Sequence, residues 1–329
     1  MNGILDLGIH VVIFVQNLGN WLLTPMKLFS LLGTEVFYLL VAPALYWCVS
    51  TEAGLRVGLF MMLSGGINDA LKVAFHAPRP YWYSTEVKAL AAEGTFGIPS
   101  GHAQHAVVVW STLAAWIKRR WMWIAAIGLI FCISLSRLYL GVHFPTDILA
   151  GWFIGIILVW SLLRFEKKLT SWFLRQPVSI QYLAALLVSL SILGLGVAAR
   201  LAVGDWQISD EMKVNAARAG GEIPAPLDPT GVIANSGAFF GMLAGAIFLR
   251  RSGGFEAGKG KDWQKTARYG LGLAGTLILW FGLGKVFPRE ADLFSYCLRY
   301  LRYTLVGIWF TGLSPLVFIR LGLAEPKFR

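Results

Sequence analysis

Three short stretches of this chain set charged and nucleophilic side chains against apolar runs. The last of them, Ser136 to Asp147, reads SRLYLGVHFPTD and holds an Arg, a His and an Asp. The flanking segments, Trp121–Leu135 and Ile148–Trp160, carry no charge. A cation, an imidazole and a carboxylate beside hydrocarbon are expensive, and residues kept in such a place point to function. The other two stretches are Lys72 with Arg79-Pro80, and Pro99-Ser100-Gly101-His102. Together these residue types can transfer a phosphoryl group. Arg offers two parallel donors to phosphate and Lys a compact charge. A His can attack or move a proton, and an Asp beside it fixes the ring.

Each stretch also has a plainer reading. Lys72 can snorkel from the end of an apolar run, with Arg79 an exposed loop residue. Ser100 suits a helix N-cap, so a span is expected to begin there; backbone amides at that end, with Gly101 permitting close approach, bind phosphate oxygens. The same Ser-Gly pair also serves as an ordinary helix start. His105 shares a face with His102 and is either a supporting contact or incidental. Pro145 fits the first turn of a helix, which sets His143 just before that helix and Asp147 in its first turn. Arg137 then either turns toward the same point or pairs with Asp147 at the membrane boundary.

Positioning these residues is the task of apolar helices. Of the 329 residues 56% are hydrophobic and only 14% charged. A soluble domain carries about a quarter charged residues, so the composition is that of a membrane protein. The net charge of +11 does not indicate nucleic acid, because the cations cluster at the ends of apolar runs. Cys48, Cys132 and Cys297 form no CxxC pair and no disulfide framework. The opening MNGILDLGIHVVIF lacks a basic start and a cleavage site, so no signal peptide is expected.

The expected fold is all-α: a polytopic bundle of nine spans, near 34–50, 55–75, 101–117, 121–138, 147–164, 182–203, 231–249, 270–288 and 303–320. Residues 1–33 mix Asp6, His10, Gln16 and Asn17 with apolar positions and read as an interfacial helical segment or a marginal first span. Residues 34–165 then form the core that holds the motifs, and 166–329 a C-terminal extension of four helices. One set of connections and the C-terminal tail hold 17 of the 29 Lys and Arg, which puts them and the C-terminus in the cytoplasm. The connections 76–100, 139–146, 204–230 and 289–302 face outward, and all three motifs fall on that side. The connection 204–230 carries Asp205, Asp210, Glu211, Glu222 and Asp228 and is either a cap over the site or a solvated stretch. GGFEAGKGKD at 253–262 reads as a flexible loop.

Lys-x6-Arg-Pro, Pro-Ser-Gly-His and Ser-Arg-x5-His-x3-Asp, in this order and on one membrane face, resemble the three-part signature of the type 2 phosphatidic acid phosphatase superfamily. The resemblance holds at Lys72, Arg79, Pro80, Pro99, Ser100, Gly101, His102, Ser136, Arg137, His143 and Asp147, over roughly residues 34–165. It implies an integral membrane phosphatase whose His143 attacks phosphorus and forms a phosphohistidine. Asp147 would orient that ring, and His102 would protonate the leaving oxygen and then activate water. Lys72, Arg79, Ser100, Gly101 and Arg137 would bind the phosphate. It implies no cofactor and no metal, and an amphiphilic lipid phosphate or diphosphate as substrate, with membrane lipids as the surroundings.

Other readings use the same residues. A phosphotransferase would pass the phosphoryl group to a lipid or sugar hydroxyl. A metal centre would use His102, His105, His143 and Asp147, but three nearby cations would repel the ion and His-x2-His is a weak metal spacing. A phosphate or lipid transporter would use Asn68 and Asp69 on a polar path; the later spans are nearly uncharged, which disfavours it.

Overall fold

The computed structural model describes residues 2–221 and 224–327. Met1, Glu222, Ile223, Phe328 and Arg329 lie outside the described residues, and with them one acid of the 204–230 connection and one cation of the tail. No strand occurs among the described residues; the chain runs through fifteen α-helices interrupted by short 3-10 and π turns. They are α1 (Asn2–Gln16), α2 (Leu23–Leu31), α3 (Glu35–Cys48), α4 (Thr51–Phe75), α5 (Pro80–Tyr83), α6 (Gly101–Ile117), α7 (Arg120–Tyr139) and α8 (Pro145–Arg175). Then come α9 (Val178–Val203), α10 (Asp210–Arg218), α11 (Thr230–Arg251), α12 (Asp262–Leu277), α13 (Leu283–Val286), α14 (Leu293–Ile308) and α15 (Ser314–Arg320).

Among the described residues seven helices are long and apolar enough to cross a membrane, fewer than the nine spans expected. The difference lies at 34–50 and 101–117. There α3 has 14 residues and α6 has 17, short of about 30 Å of hydrocarbon at 1.5 Å per residue. The N-terminal segment is a bent pair, Gly3–Gln16 and Asn20–Leu31 meeting at 86°, which raises the number to eight if it counts as one span.

The chain gathers into two compact units: residues 1–38, 67–161 and 195–229, and residues 39–66, 162–194 and 230–329. All three motifs lie in the first. Its core joins Ile9, Val12 and Met26 of the N-terminal pair to Trp82, Phe96 and Tyr139. The same N-terminal helices leave Ile4, Leu7, Phe14 and Trp21 exposed, as an amphipathic element at a membrane surface does. Helix α8 closes on α6 through small residues four apart. A methyl added to Gly151 would sit 2.7 Å from the Ser100 carbonyl oxygen, and one on Gly155 3.0 Å from that of Gln104. Side chains there would lift α8 off the Ser100 turn, the small-residue contact typical of membrane helices.

The described residues of this connection, 204–221 and 224–229, fold against the rest of the first unit while Asp205, Asp210 and Glu211 stay exposed. Asn215 of α10 donates to the Trp82 carbonyl (3.1 Å), Ala225 N to the Gly94 carbonyl (2.9 Å) and Ala89 N to the Ala219 carbonyl (3.2 Å). It therefore covers the 84–96 loop. Its contacts combine these backbone carbonyls and Asn215 with a buried Ala216 and with Trp206, Ile208, Met212 and Leu227 packed on the same core.

In the second unit α11 and α14 pack closely, and a methyl on Gly307 would come within 2.6 Å of Met242 N. The expected flexible loop at 253–262 is anchored. Phe255 and Ala257 are buried, and Arg268 donates to the Ala257 (3.1 Å) and Lys259 (2.7 Å) carbonyls. The glycines set the turns there, and a buried cation, Arg268, the seventh residue of α12, fixes them.

Candidate active site

Lys72 lies in the last turn of α4. Its ammonium turns inward and donates to Thr95 Oγ1 at 2.8 Å. Arg79 is the N-cap residue of α5, extended at φ −89° and ψ 160°, as the residue before a proline must be. It is fully buried, so the exposed-loop reading falls. Its Nε donates to the Thr95 carbonyl (2.5 Å), Nη1 to the Val142 carbonyl (2.8 Å), and Nη2 to Thr95 Oγ1 (3.0 Å) and the Phe96 carbonyl (3.2 Å). Backbone oxygens thus fix the guanidinium in one orientation.

Arg137, in the last turn of α7, is 2% exposed and does not pair with Asp147. Its Nη1 donates to Ser30 Oγ and its Nη2 to Glu93 Oε1. Glu93 Oε2 in turn accepts from Arg79 Nη2 at 3.3 Å. The two arginines, nearly sixty residues apart in the chain, therefore converge on one carboxylate.

Helix α8 starts at Pro145, as expected, with Asp147 in its first turn. Asp147 Oδ2 accepts from Phe144 N (2.9 Å) and faces His143 Nδ1 at 3.1 Å. A carboxylate there assigns the ring proton to Nδ1, which leaves Nε2 unprotonated and able to accept from Arg79. Nε2 lies 3.4 Å from Arg79 Nη1, so the open nitrogen looks toward the guanidinium cluster. Burial, then the charges of Arg79, Arg137 and Lys72, hold the His143 pKa well below its ordinary 6.5. The ring is neutral at pH 7, as a nucleophile requires.

Ser100 is the N-cap of α6, but its hydroxyl makes no capping bond. The Oγ is buried without a partner, and such a group is rare unless something else is to fill it. Its backbone N donates to the Asp147 carbonyl at 2.9 Å, tying the second motif to the third. Asn68 is a positioning residue, not part of a polar path. Its Nδ2 donates to Gln104 Oε1 (2.8 Å) and the Pro99 carbonyl (3.3 Å), which holds the turn that presents Ser100, Gly101 and His102. A methyl on Gly101 would lie 3.1 Å from Asn68 Oδ1. His102 is half-buried and feels the charges of Arg137, Glu93 and Lys72. His105, one turn on, is 5% exposed.

Three residues at this site escape a motif reading: Ser30, Glu93 and Thr95. Burial disfavours the Glu93 anion, but Arg79 and Arg137, with His102 and Lys72, outweigh it and hold its carboxyl well below the usual range. Its only signal in sequence is that it is one of two acids, with Glu86, in the connection between the first two motifs. Ser30 has no such signal, because only the fold of the N-terminal pair brings it to Arg137. Ser30→Ala removes one hydrogen bond to a charged donor, worth about 1.5–3 kcal/mol, so turnover is expected to fall by roughly 10- to 150-fold. Steady-state kinetics with an unchanged thermal midpoint checks this.

Residues 53–171 match the PAP2 superfamily model, and residues 233–326 match that of the PAP2 superfamily phosphatase transmembrane extension. All motif residues fall within the first match. The chain is 30% identical over 169 residues to a probable sphingosine-1-phosphate phosphatase of Dictyostelium discoideum, covering 45% of this chain and 40% of that protein. It is 27% identical over 162 residues to phosphatidylglycerophosphatase B of Bacillus subtilis, covering 45% of this chain and 77% of that one. The crystal structure of a transmembrane PAP2 type phosphatidylglycerolphosphate phosphatase from Bacillus subtilis aligns with a TM-score of 0.46. It has 24% identity and covers 51% of this chain and 88% of the other. The relatives are thus phosphatases of lipid phosphates. With a phosphatase domain and a transmembrane extension that together take in more than half of its residues, this chain belongs to the PAP2 superfamily.

Proposed function

We propose that the protein is a membrane-embedded phosphatase that hydrolyses a lipid phosphate or diphosphate monoester through a phosphohistidine. The observation that carries the reading is the His143 ring: Nδ1 on Asp147, Nε2 open toward Arg79, and the whole ring buried and neutral. Nε2 attacks phosphorus while His102 gives its proton to the leaving oxygen, freeing the lipid alcohol. His102 then takes a proton from water, whose oxygen attacks the phosphohistidine and releases inorganic phosphate and His143. Lys72, Arg79, Arg137, Ser100 and the Gly101 amide compensate charge on the equatorial oxygens. Three cations in so small a volume supply the compensation a metal would otherwise bring.

The names of the relatives favour lipid substrates, and the motifs lie at the ends of apolar helices, which suits a phosphate held at the level of lipid headgroups. Phosphatidate, phosphatidylglycerophosphate, polyprenyl diphosphate and sphingoid phosphate share the recognised chemistry. The distribution of Lys and Arg supports a site on the extracytoplasmic face and a cytoplasmic C-terminus. On this reading residues 34–165 form the catalytic core, flanked by the interfacial segment 1–33 and the membrane extension 166–329.

The test is phosphate release from a panel of these lipids in detergent with excess EDTA. Release that persists in EDTA and is blocked by vanadate supports the reading. Loss in EDTA restored by a divalent ion would overturn metal independence. Phosphoryl appearing on an added lipid or sugar hydroxyl instead of water would make the protein a phosphotransferase.

A further inference from the structure

Glu93 is a half-buried acid that the proposed chemistry does not use, yet it touches the two guanidinium groups assigned to the phosphate. We infer that its carboxylate is an internal stand-in for the substrate phosphate, competing for the cradle and setting the affinity with which phosphate enters. The inference rests on reading Lys72, Arg79 and Arg137 as that cradle.

Four observations carry it. Its two oxygens go to two different arginines, Oε1 to Arg137 and Oε2 to Arg79, which is how two oxygens of one phosphate would bridge them. The arginines are held from behind: Arg79 by the Val142, Thr95 and Phe96 carbonyls, Arg137 by Ser30. They therefore stay in place when the acid leaves. The acid is also the accessible member of the trio, with a side chain 21% exposed against 0% for Arg79 and 2% for Arg137. Finally, its backbone is anchored independently. The Glu93 carbonyl accepts from Tyr81 OH and the next carbonyl, Gly94, from Ala225 N. A side-chain rotation is then enough to vacate the cradle without unfolding the loop.

Physically, the carboxylate keeps two desolvated guanidinium groups converged in the absence of substrate, where unpaired they would repel. A phosphate group carries up to two charges and three acceptor oxygens, so it displaces a single carboxylate while a neutral or zwitterionic lipid does not. Glu93 thereby acts as a specificity-determining residue: it raises the threshold for occupancy of the site.

The experiment measures inorganic phosphate binding by calorimetry, and competitive inhibition by phosphate, for wild type, Glu93→Gln and Glu93→Asp in detergent. Glu93→Gln is expected to bind phosphate at least about tenfold more tightly, because a charge-assisted competitor is gone. Glu93→Asp, one methylene too short to span both arginines, is expected to tighten binding by a few-fold, and it carries the test if the Gln variant does not fold. Adding Arg79→Ala should abolish the gain in either background. Unchanged or weaker binding in the folded variants would make Glu93 a structural counter-ion only and overturn the inference. Tighter binding that ignores both Arg79→Ala and Arg137→Ala would place phosphate elsewhere and overturn the cradle reading beneath it. Binding that needs the arginines but ignores Glu93 would leave the cradle standing and remove the competitor.

Discussion

His143→Ala is expected to abolish phosphate release from lipid phosphates, by about 10⁴-fold or more, while leaving inorganic phosphate bound. The His143 imidazole has an unprotonated ring nitrogen and a carboxylate neighbour that orients it. Nε2 is 3.4 Å from Arg79 Nη1, and Nδ1 is engaged by Asp147. Alanine removes the atom that would bond to phosphorus, and no other side chain takes its place. Lys72, Arg79 and Arg137 keep their own anchors on Thr95, Val142 and Ser30, so ground-state binding should change little. Rapid quench with labelled substrate gives a second readout: acid-labile protein-bound phosphate in wild type and none in the variant. A labelled variant would move the nucleophile to another residue. The pH profile belongs to the same argument. A base whose pKa is lowered stays neutral further into acid, so the acid limb of kcat/KM, corrected for the substrate's own ionisation, should lie below the ordinary histidine value of 6.5. A limb above it would mean that the surrounding cations are compensated more fully than the geometry implies.

Much of this site is legible in the chain because the chemistry is local. Lys72 and Arg79, Ser100 and His102, and His143 and Asp147 form short blocks whose spacing is set by a helix end or a proline. The Ser100 and Pro145 helix starts follow from cap and first-turn preferences. What is not legible depends on contacts between distant segments. Ser30 reaches Arg137 only because the N-terminal pair bends by 86° and packs its apolar face on α7. Glu93 reads as a loop acid until the two arginines are seen to meet on it. Ser100 occupies the cap position without capping, and its hydroxyl is buried with no partner. The number of spans differs for a related reason. Hydropathy marks α3 and α6 as apolar, but α6 is buried by neighbours, and buried protein helices satisfy the same composition as lipid-facing ones at shorter length. The described part of the 204–229 connection packs Trp206, Ile208, Met212, Ala216 and Leu227 on the core, apolar positions that are interspersed with acids along the chain.

Asp147→Ala and Asp147→Asn should separate widely, and the separation reports how the His143 ring is held. Alanine removes the acceptor for Nδ1–H, frees the ring to turn or change tautomer, and is expected to lower kcat about 10⁴-fold, as loss of an orienting acid does in hydrolase triads. Asparagine is a milder change here. Phe144 N donates to Asp147 Oδ2 at 2.9 Å, and that same oxygen faces His143 Nδ1. An Asn side chain satisfies Phe144 only with its carbonyl oxygen at this position, and the oxygen can then accept from Nδ1–H as well. Tautomer and orientation survive, and only the negative charge that stabilises the developing imidazolium is lost. A hydrogen bond to a charged group is worth about 1.5–3 kcal/mol, so kcat should fall by roughly 10- to 150-fold. In both variants KM and the phosphate affinity should stay near wild type, because Asp147 does not touch the cradle. Equal, 10⁴-scale losses in the two variants would mean that the amide rotates against Phe144 and imposes the wrong tautomer. A loss of phosphate affinity in Asp147→Asn would mean that this carboxylate also shapes the Ser100 turn, to which its own backbone carbonyl is bonded at 2.9 Å.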